Sequence, residues 1–208
     1  MWRFDRAVEP TRHSGSVVWF TGVSGAGKST IADWVAARLS EQRCRVERLD
    51  GDAIRGVFPS TGFSRTDRNE HLKRTGYMAS RLAHHDVIVL ASFVSPYRES
   101  REFARQLCPS FIEVYVSTPI EVCERRDVKG LYAKARRGEL KNLTGIDDPY
   151  EPPVAPEVSL DTTFMTVADA GAIVLARLGR ELTWELPPGS DVPARGVVPS
   201  VGAPFQHL

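Results

Sequence analysis

Nine residues near the amino end have the types and spacing of a phosphate cradle: Gly22-Val23-Ser24-Gly25-Ala26-Gly27-Lys28-Ser29-Thr30. The pattern is Gly, four residues, then Gly-Lys-Ser. Its glycines let the backbone turn tightly and aim several N–H groups at phosphate oxygens. Lys28 is placed to reach the β- and γ-phosphates, and the Ser29 hydroxyl to ligate Mg²⁺. Thr30 is expected to begin a helix whose positive N-terminal end faces the anion. This chemistry means hydrolysis or transfer of a nucleotide phosphate, without saying which.

An acceptor site decides between the two. Asp50-Gly51-Asp52-Ala53-Ile54-Arg55 puts two carboxylates and an arginine just past a short strand adjacent to the loop. A carboxylate there can hold Mg²⁺ through water or orient an acceptor hydroxyl. A helix-capping turn is the plainer reading, and it accounts for one aspartate only. Arg55 and Arg68 with Phe63 between them suggest a clamp of guanidinium forks and an aromatic face. The competing reading is a solvated charged face. Ser95, in Phe93-Val94-Ser95-Pro96-Tyr97-Arg98, is expected either at the transferred phosphate or as a helix N-cap. Lys129 to Arg137 reads as a basic helical lid that excludes water and brings charge to the phosphates, or as a basic surface helix. The histidines show no metal-ligand spacing.

Elements must carry these segments to one place. Ser16–Thr21 is an apolar, β-rich run ahead of the glycine loop, and Ile31, Trp34, Val35 and Leu39 follow at helical spacing. Strands are expected at 46–50, 87–91, 111–116 and 158–160. Helices are expected at 65–84 behind a Ser64/Asp67 capping box, from Ser95-Pro96, from a Thr118/Glu121 capping box to Arg126, and at 166–178. Alternation of strands and helices gives an α/β fold of three layers, a central parallel sheet flanked by helices. Ligands bind beyond the carboxyl ends of such strands. The glycine loop, Asp50–Asp52 and the turn after Ala91 all fall there.

Composition sets the outer limits. The 208 residues suit one domain, and 42% hydrophobic with 25% charged residues is ordinary for a soluble globular chain. A net charge of +1 gives no pull toward nucleic acid or a membrane. Three cysteines at no metal spacing read as reduced thiols of a cytoplasmic protein. Residues 1–15 are expected as an irregular arm, 16–180 as the working domain, and 181–208 as a Pro/Gly-rich flexible tail.

Taken together, these stretches resemble the adenylylsulfate kinase family over roughly Ser16 to Leu178. The likeness rests on Gly22–Thr30, Asp50–Arg55, Gly62-Phe63-Ser64 with Asp67-Arg68, Phe93–Arg98, Val122–Arg137 and Thr144-Gly145-Ile146-Asp147. Arg126-Asp127-Val128-Lys129-Gly130-Leu131-Tyr132 is far more specific than a phosphate loop. The resemblance implies a P-loop kinase fold and phosphorylation of the 3′-hydroxyl of adenylyl sulfate by ATP. It implies a Mg²⁺-dependent cytosolic enzyme, often a homodimer. Carried over by position, Asp52, Arg55, Phe63, Arg68, His71, Val94, Ser95, Lys129 and Leu143 contact the acceptor. Lys28, Asp52 and Ser95 are the catalytic candidates, and Ser29 and Asp52 the metal ligands. Ser95 matches the family's phosphoserine position, although direct in-line transfer needs only positioning and charge stabilisation.

The chain departs from the family at Ala53 and His71, where Asn is usual, at Lys73, where Arg is usual, and at Leu143, where an aromatic is usual. The segment before Gly62 is one residue short. All of these changes fall on the acceptor side. Two other readings stay open: a kinase of the same fold with a different nucleotide or phosphorylated metabolite as acceptor, and a non-catalytic nucleotide-binding module.

Overall fold

A computed structural model describes residues 11–58, 62–182 and 184–185. In chain order the elements are β1 (Arg12–His13), β2 (Ser16–Thr21), α1 (Lys28–Glu41), β3 (Val46–Asp50), α2 (Gly51–Val57), α3 (Arg65–Ala83) and β4 (Ile88–Ser92). There follow α4 (Arg98–Leu107), β5 (Phe111–Val116), α5 (Ile120–Arg126), α6 (Leu131–Arg136), β6 (Val158–Leu160), α7 (Val167–Leu178) and β7 (Trp184–Glu185). Five strands form one parallel sheet in the order β3-β4-β2-β5-β6. Right-handed crossovers through helices are what parallel neighbours of this kind require.

Period-two alternation sends successive side chains to opposite faces of the sheet. Val18 and Phe20 of β2, with Ile88, Leu90, Ile112 and Val114, pack under Ile31 and Val35 of α1 and Val174 of α7. Val17, Trp19, Val89 and Ala91 face Leu72 and Ala79 of α3 and Ala104 of α4. Trp19 and Phe20 are fully buried. Side chains of that size each contribute about 1.5–3 kcal/mol by leaving water. The second layer packs closely, because a Cβ on Gly76 would lie 2.8 Å from the Ala104 Cβ.

The Ser64/Asp67 capping box forms as expected. Three expected devices sit differently, the first two because a distant partner outcompetes the local one. The helix after β4 starts at Arg98 rather than at Ser95-Pro96. Ser95 has φ 40°, the Pro96 carbonyl accepts the Glu151 N–H, and the Glu151 carboxylate caps the Arg98 N–H at 2.9 Å. Ser95 is therefore not an N-cap. The Thr118/Glu121 box does not form, since the Thr118 hydroxyl is taken by Thr162 at 2.8 Å and Ala26 O at 3.3 Å. The central strand runs one residue later than expected, because the Val87 N–H closes the end of α3 on Leu82 O.

β1 and β7 pair antiparallel, Arg12 with Glu185 and His13 with Trp184. Residues read as the end of an arm and the start of a tail are thus joined. Residues 1–10 of the arm, 183 and 186–208 of the tail, and 59–61 in the shortened segment lie outside the described residues. Among the described residues no helix is long and apolar enough to cross a membrane.

Candidate active site

β2 delivers the glycine loop at its carboxyl end, in the middle of the sheet. The loop's shape depends on backbone that side-chained residues resist. Gly22 has φ 143°, and a Cβ there would lie 2.5 Å from the Val116 carbonyl oxygen. Gly27, at φ 107°, is the residue before α1. The helix begins at Lys28 rather than Thr30, so its free N–H groups open directly into the loop. Lys28 is nine-tenths buried, and its ammonium donates to Val23 O at 2.8 Å. Burial, then the nearby Lys129, lowers its pKa to about 8, against the pull of Asp50 and Asp52.

Ser24, Gly25, Gly27, Lys28, Ser29 and Thr30 line a cleft of about 180 Å³. Gly22, Val23 and Ala26 shape the loop from outside that lining. Asp50 and Asp52 enter from the start of α2, Phe93 and Val94 from the end of β4, and Lys129 and Tyr132 from the basic segment. Val94 also ties the two strand ends together, accepting from the Thr21 hydroxyl at 2.9 Å and the Gly22 N–H. A cleft of this size is below the ~300 Å³ of an ordinary small-molecule pocket.

The two aspartates have different work. Asp50 accepts the Ser29 hydroxyl at 2.7 Å and caps the Asp52 N–H at 3.0 Å. Burial raises its pKa, but the bonds from Ser29 and from the Asp52 and Ala53 N–H groups outweigh this and leave it below the ordinary value. Asp52 instead forms an ion pair with Lys129 across the mouth of the cleft. Of the two expected metal ligands, Ser29 and Asp52, it is Ser29 that bonds a carboxylate here, and the carboxylate is Asp50. Ser29 and Asp50 are hard oxygen donors that fit Mg²⁺. Among the described residues no set of three or more His, Cys, Asp or Glu could hold a metal unaided.

Beyond Asp52, the Arg55 guanidinium lies 4.5 Å over the Phe63 ring, which is 60% exposed. Arg68 is 8% exposed and engaged with the protein. It donates to Phe63 O at 2.8 Å and to the Thr144 hydroxyl, and lies 3.2 Å from Asp148. The clamp is thus present, with Arg68 as the strut that fixes Phe63 to the loop at 142–148. Arg55 and Phe63 form its open side.

Three expected contacts are enclosed instead. Ser95 is 2% exposed; its hydroxyl donates to Thr21 at 2.8 Å and accepts the Trp19 indole N–H at 3.1 Å. It belongs to the frame of the cleft rather than its lining, and among the described residues its hydroxyl bonds Thr21, Trp19 and the Phe93 carbonyl and no basic side chain. His71 is 2% exposed between Phe58 and Phe93, each 6.4 Å away edge-on. Its nitrogens have no hydrogen-bond partner among the described residues. Burial, then Arg55 and Arg74, lowers its pKa to about 4, so the ring is neutral. Leu143 is 9% exposed in the core that includes Tyr132 and Cys123.

Sequence reasoning missed the groups that hold these pieces. Arg101, 3% exposed, donates to Ser95 O, Glu151 O and Glu113. The Tyr132 hydroxyl donates to Ser24 O at 2.8 Å and docks the basic segment on the loop. Asp127, at φ 26°, accepts the Tyr132 and Ala133 N–H groups and so starts α6. Only Asp127 carried a local signal, an aspartate a few residues before a helix.

Residues 14–161 match the sequence profile of the family described as Adenylylsulphate kinase. The chain is 49% identical to the adenylyl-sulfate kinase of Halothermothrix orenii over 174 residues, covering 83% of this chain and 94% of that one. It is 51% identical to the adenylyl-sulfate kinase of Chloroflexus aurantiacus over 172 residues, covering 82% and 92%. Its fold superposes on the Mycobacterium tuberculosis APS kinase solved with AMPPNP and APS at a TM-score of 0.76 and 41% identity, covering 82% of this chain and 99% of that one.

Proposed function

The chain belongs to the adenylylsulphate kinase family, and from that premise we propose that it transfers the γ-phosphoryl group of ATP to the ribose 3′-hydroxyl of adenylyl sulfate. The products are 3′-phosphoadenylyl sulfate and ADP. One observation carries the reading: Lys28, the Ser29–Asp50 pair, Asp52 and the basic Lys129 converge on a single cleft.

Each residue then has a task. The loop amides and Lys28 hold the β- and γ-phosphates, with Lys28 leaving Val23 O to do so. Ser29 and Asp50 would hold Mg²⁺, which would supply charge neutralisation on the phosphates. Asp52, once released by Lys129, accepts the hydrogen bond of the 3′-hydroxyl and takes its proton as the oxygen–phosphorus bond forms. The bond from γ-phosphorus to the bridging oxygen breaks, and ADP carries the electron pair away. Lys129, freed from Asp52, faces the charge that spreads over the phosphoryl oxygens. Arg55 and Phe63 receive the acceptor's anion and base. Residues 16–180 are the catalytic unit, and the working form is a cytosolic homodimer.

Purified protein with Mg-ATP and adenylyl sulfate should form 3′-phosphoadenylyl sulfate, identified by mass. Lys28→Ala should lower kcat by at least ~10²-fold, the scale of losing a positioned charge donor. ATP binding without that product would overturn the acceptor and leave the kinase fold with another one. Sedimentation of the active protein tests the dimer.

A further inference from the structure

Ser92 ends β4 and lies opposite Asp50 on one side and Phe20 on the other. Neighbouring strands are ~4.8 Å apart, so these residues form one short row across the end of the sheet. Alternation along β4 puts the Ser92 side chain on the face of Ile88 and Leu90, the face that carries α1. Asp50 shares that face, since it accepts the hydroxyl of Ser29 from the first turn of α1. Ser92 belongs to the lining of the same cleft as Lys28 and Ser29.

Its hydroxyl is buried and has no hydrogen-bond partner among the described residues. The polar groups of the same cleft at the start of α1 are engaged elsewhere: Ser29 with Asp50, and Lys28 with Val23. A buried orphan hydroxyl is costly and calls for a missing partner. A tightly packed strand end could carry alanine there at no loss of shape.

We propose that Ser92 is a further positioning residue of the metal–nucleotide site, its hydroxyl bonding a water in the Mg²⁺ shell beside Asp50. Mg²⁺ keeps several waters when protein donors are few, and those waters need acceptors and donors beyond the ion. Asp50 supplies one such group and Ser92 the second. The inference rests on the kinase reading above.

The test uses the full chain and thermal unfolding with AMPPNP at increasing Mg²⁺. Ser92→Ala should unfold no lower than wild type without ligand, because the deleted hydroxyl has no partner to lose. It should require about tenfold more Mg²⁺ for the half-maximal AMPPNP-dependent shift, the scale of losing an outer-shell group. Ser92→Thr, which keeps the hydroxyl, should restore the wild-type midpoint. An unchanged midpoint in Ser92→Ala overturns the proposal. So does equal weakening of AMPPNP binding with and without metal, which would assign the hydroxyl to phosphate. Absence of any Mg²⁺-dependent shift in wild type would instead overturn the nucleotide reading on which it rests.

Discussion

Lys28 stores its charge at a cost. Its ammonium sits in a nearly closed site with Lys129 nearby, and its pKa falls to about 8. Unfolded, it would titrate near 10.5. Between these values the folded chain holds fewer protons than the unfolded one, so ligand-free stability gains from Lys28 as pH rises from 8 toward 10.5. A bound triphosphate reverses the bias and favours the charged form. Binding of Mg·AMPPNP should therefore take up about half a proton at pH 8 and nearly one at pH 9. Calorimetry in buffers of different ionisation enthalpy measures this directly. Lys28→Met should abolish the uptake, and a buffer-independent enthalpy in wild type would refute the assignment. The type and place of Lys28 were legible because its loop is a contiguous motif. His71 was legible only as a position: nothing in its spacing shows that Phe58 and Phe93 close over its ring edges.

At the scale of elements, α4 works as a brace. Arg101 on its first turn holds the Ser95 carbonyl at 2.5 Å and the Glu151 carbonyl at 2.7 Å, and Glu113 of β5 balances its charge at 2.7 Å. The brace fixes a turn that Ser95 enters at φ 40° and that presents Phe93 and Val94 to the cleft. Arg101→Lys keeps the charge for Glu113 and loses the fork. It should lower kcat/KM for the acceptor by about tenfold, the scale of one lost charged hydrogen bond, while KM for ATP stays near wild type. Steady-state kinetics with each substrate varied separates the two. A fall in melting temperature with both KM values unchanged would make Arg101 structural only. Short-range devices here were readable in the chain: the Ser64/Asp67 box, and the strand patterns of β3, β5 and β6, whose ends fall where expected. Devices whose partner lies tens of residues away were not. Ser29 chose Asp50 over Asp52, Thr118 chose Thr162, and the start of α4 was set by Glu151.

At the scale of the molecule, one sheet is shared by two apolar layers, so neither layer can open without baring a full apolar face of β2 and β4. Calorimetric unfolding should show a single transition. At a hundred times its Kd, Mg·AMPPNP should stabilise the fold by about 2.7 kcal/mol. That raises the midpoint by about 5–10 °C for a domain of this size. Two separable transitions would mean that the layers unfold independently. The three-layer plan was the most legible feature of the sequence, since it depends only on the alternation of strand and helix patterns.

The ion pair of Lys129 and Asp52 closes the mouth of the cleft with both partners half or more exposed to solvent, 52% and 72%. A link between groups so accessible to water contributes at most about 1 kcal/mol, or about fivefold. The resting protein is then a mixture, with the unlatched form a substantial minority at every moment. Substrates meet molecules that have already opened, and arrival depends on how often they collide rather than on how hard they pull. Dissolved salt, by weakening that single contact, would tilt the mixture further toward readiness.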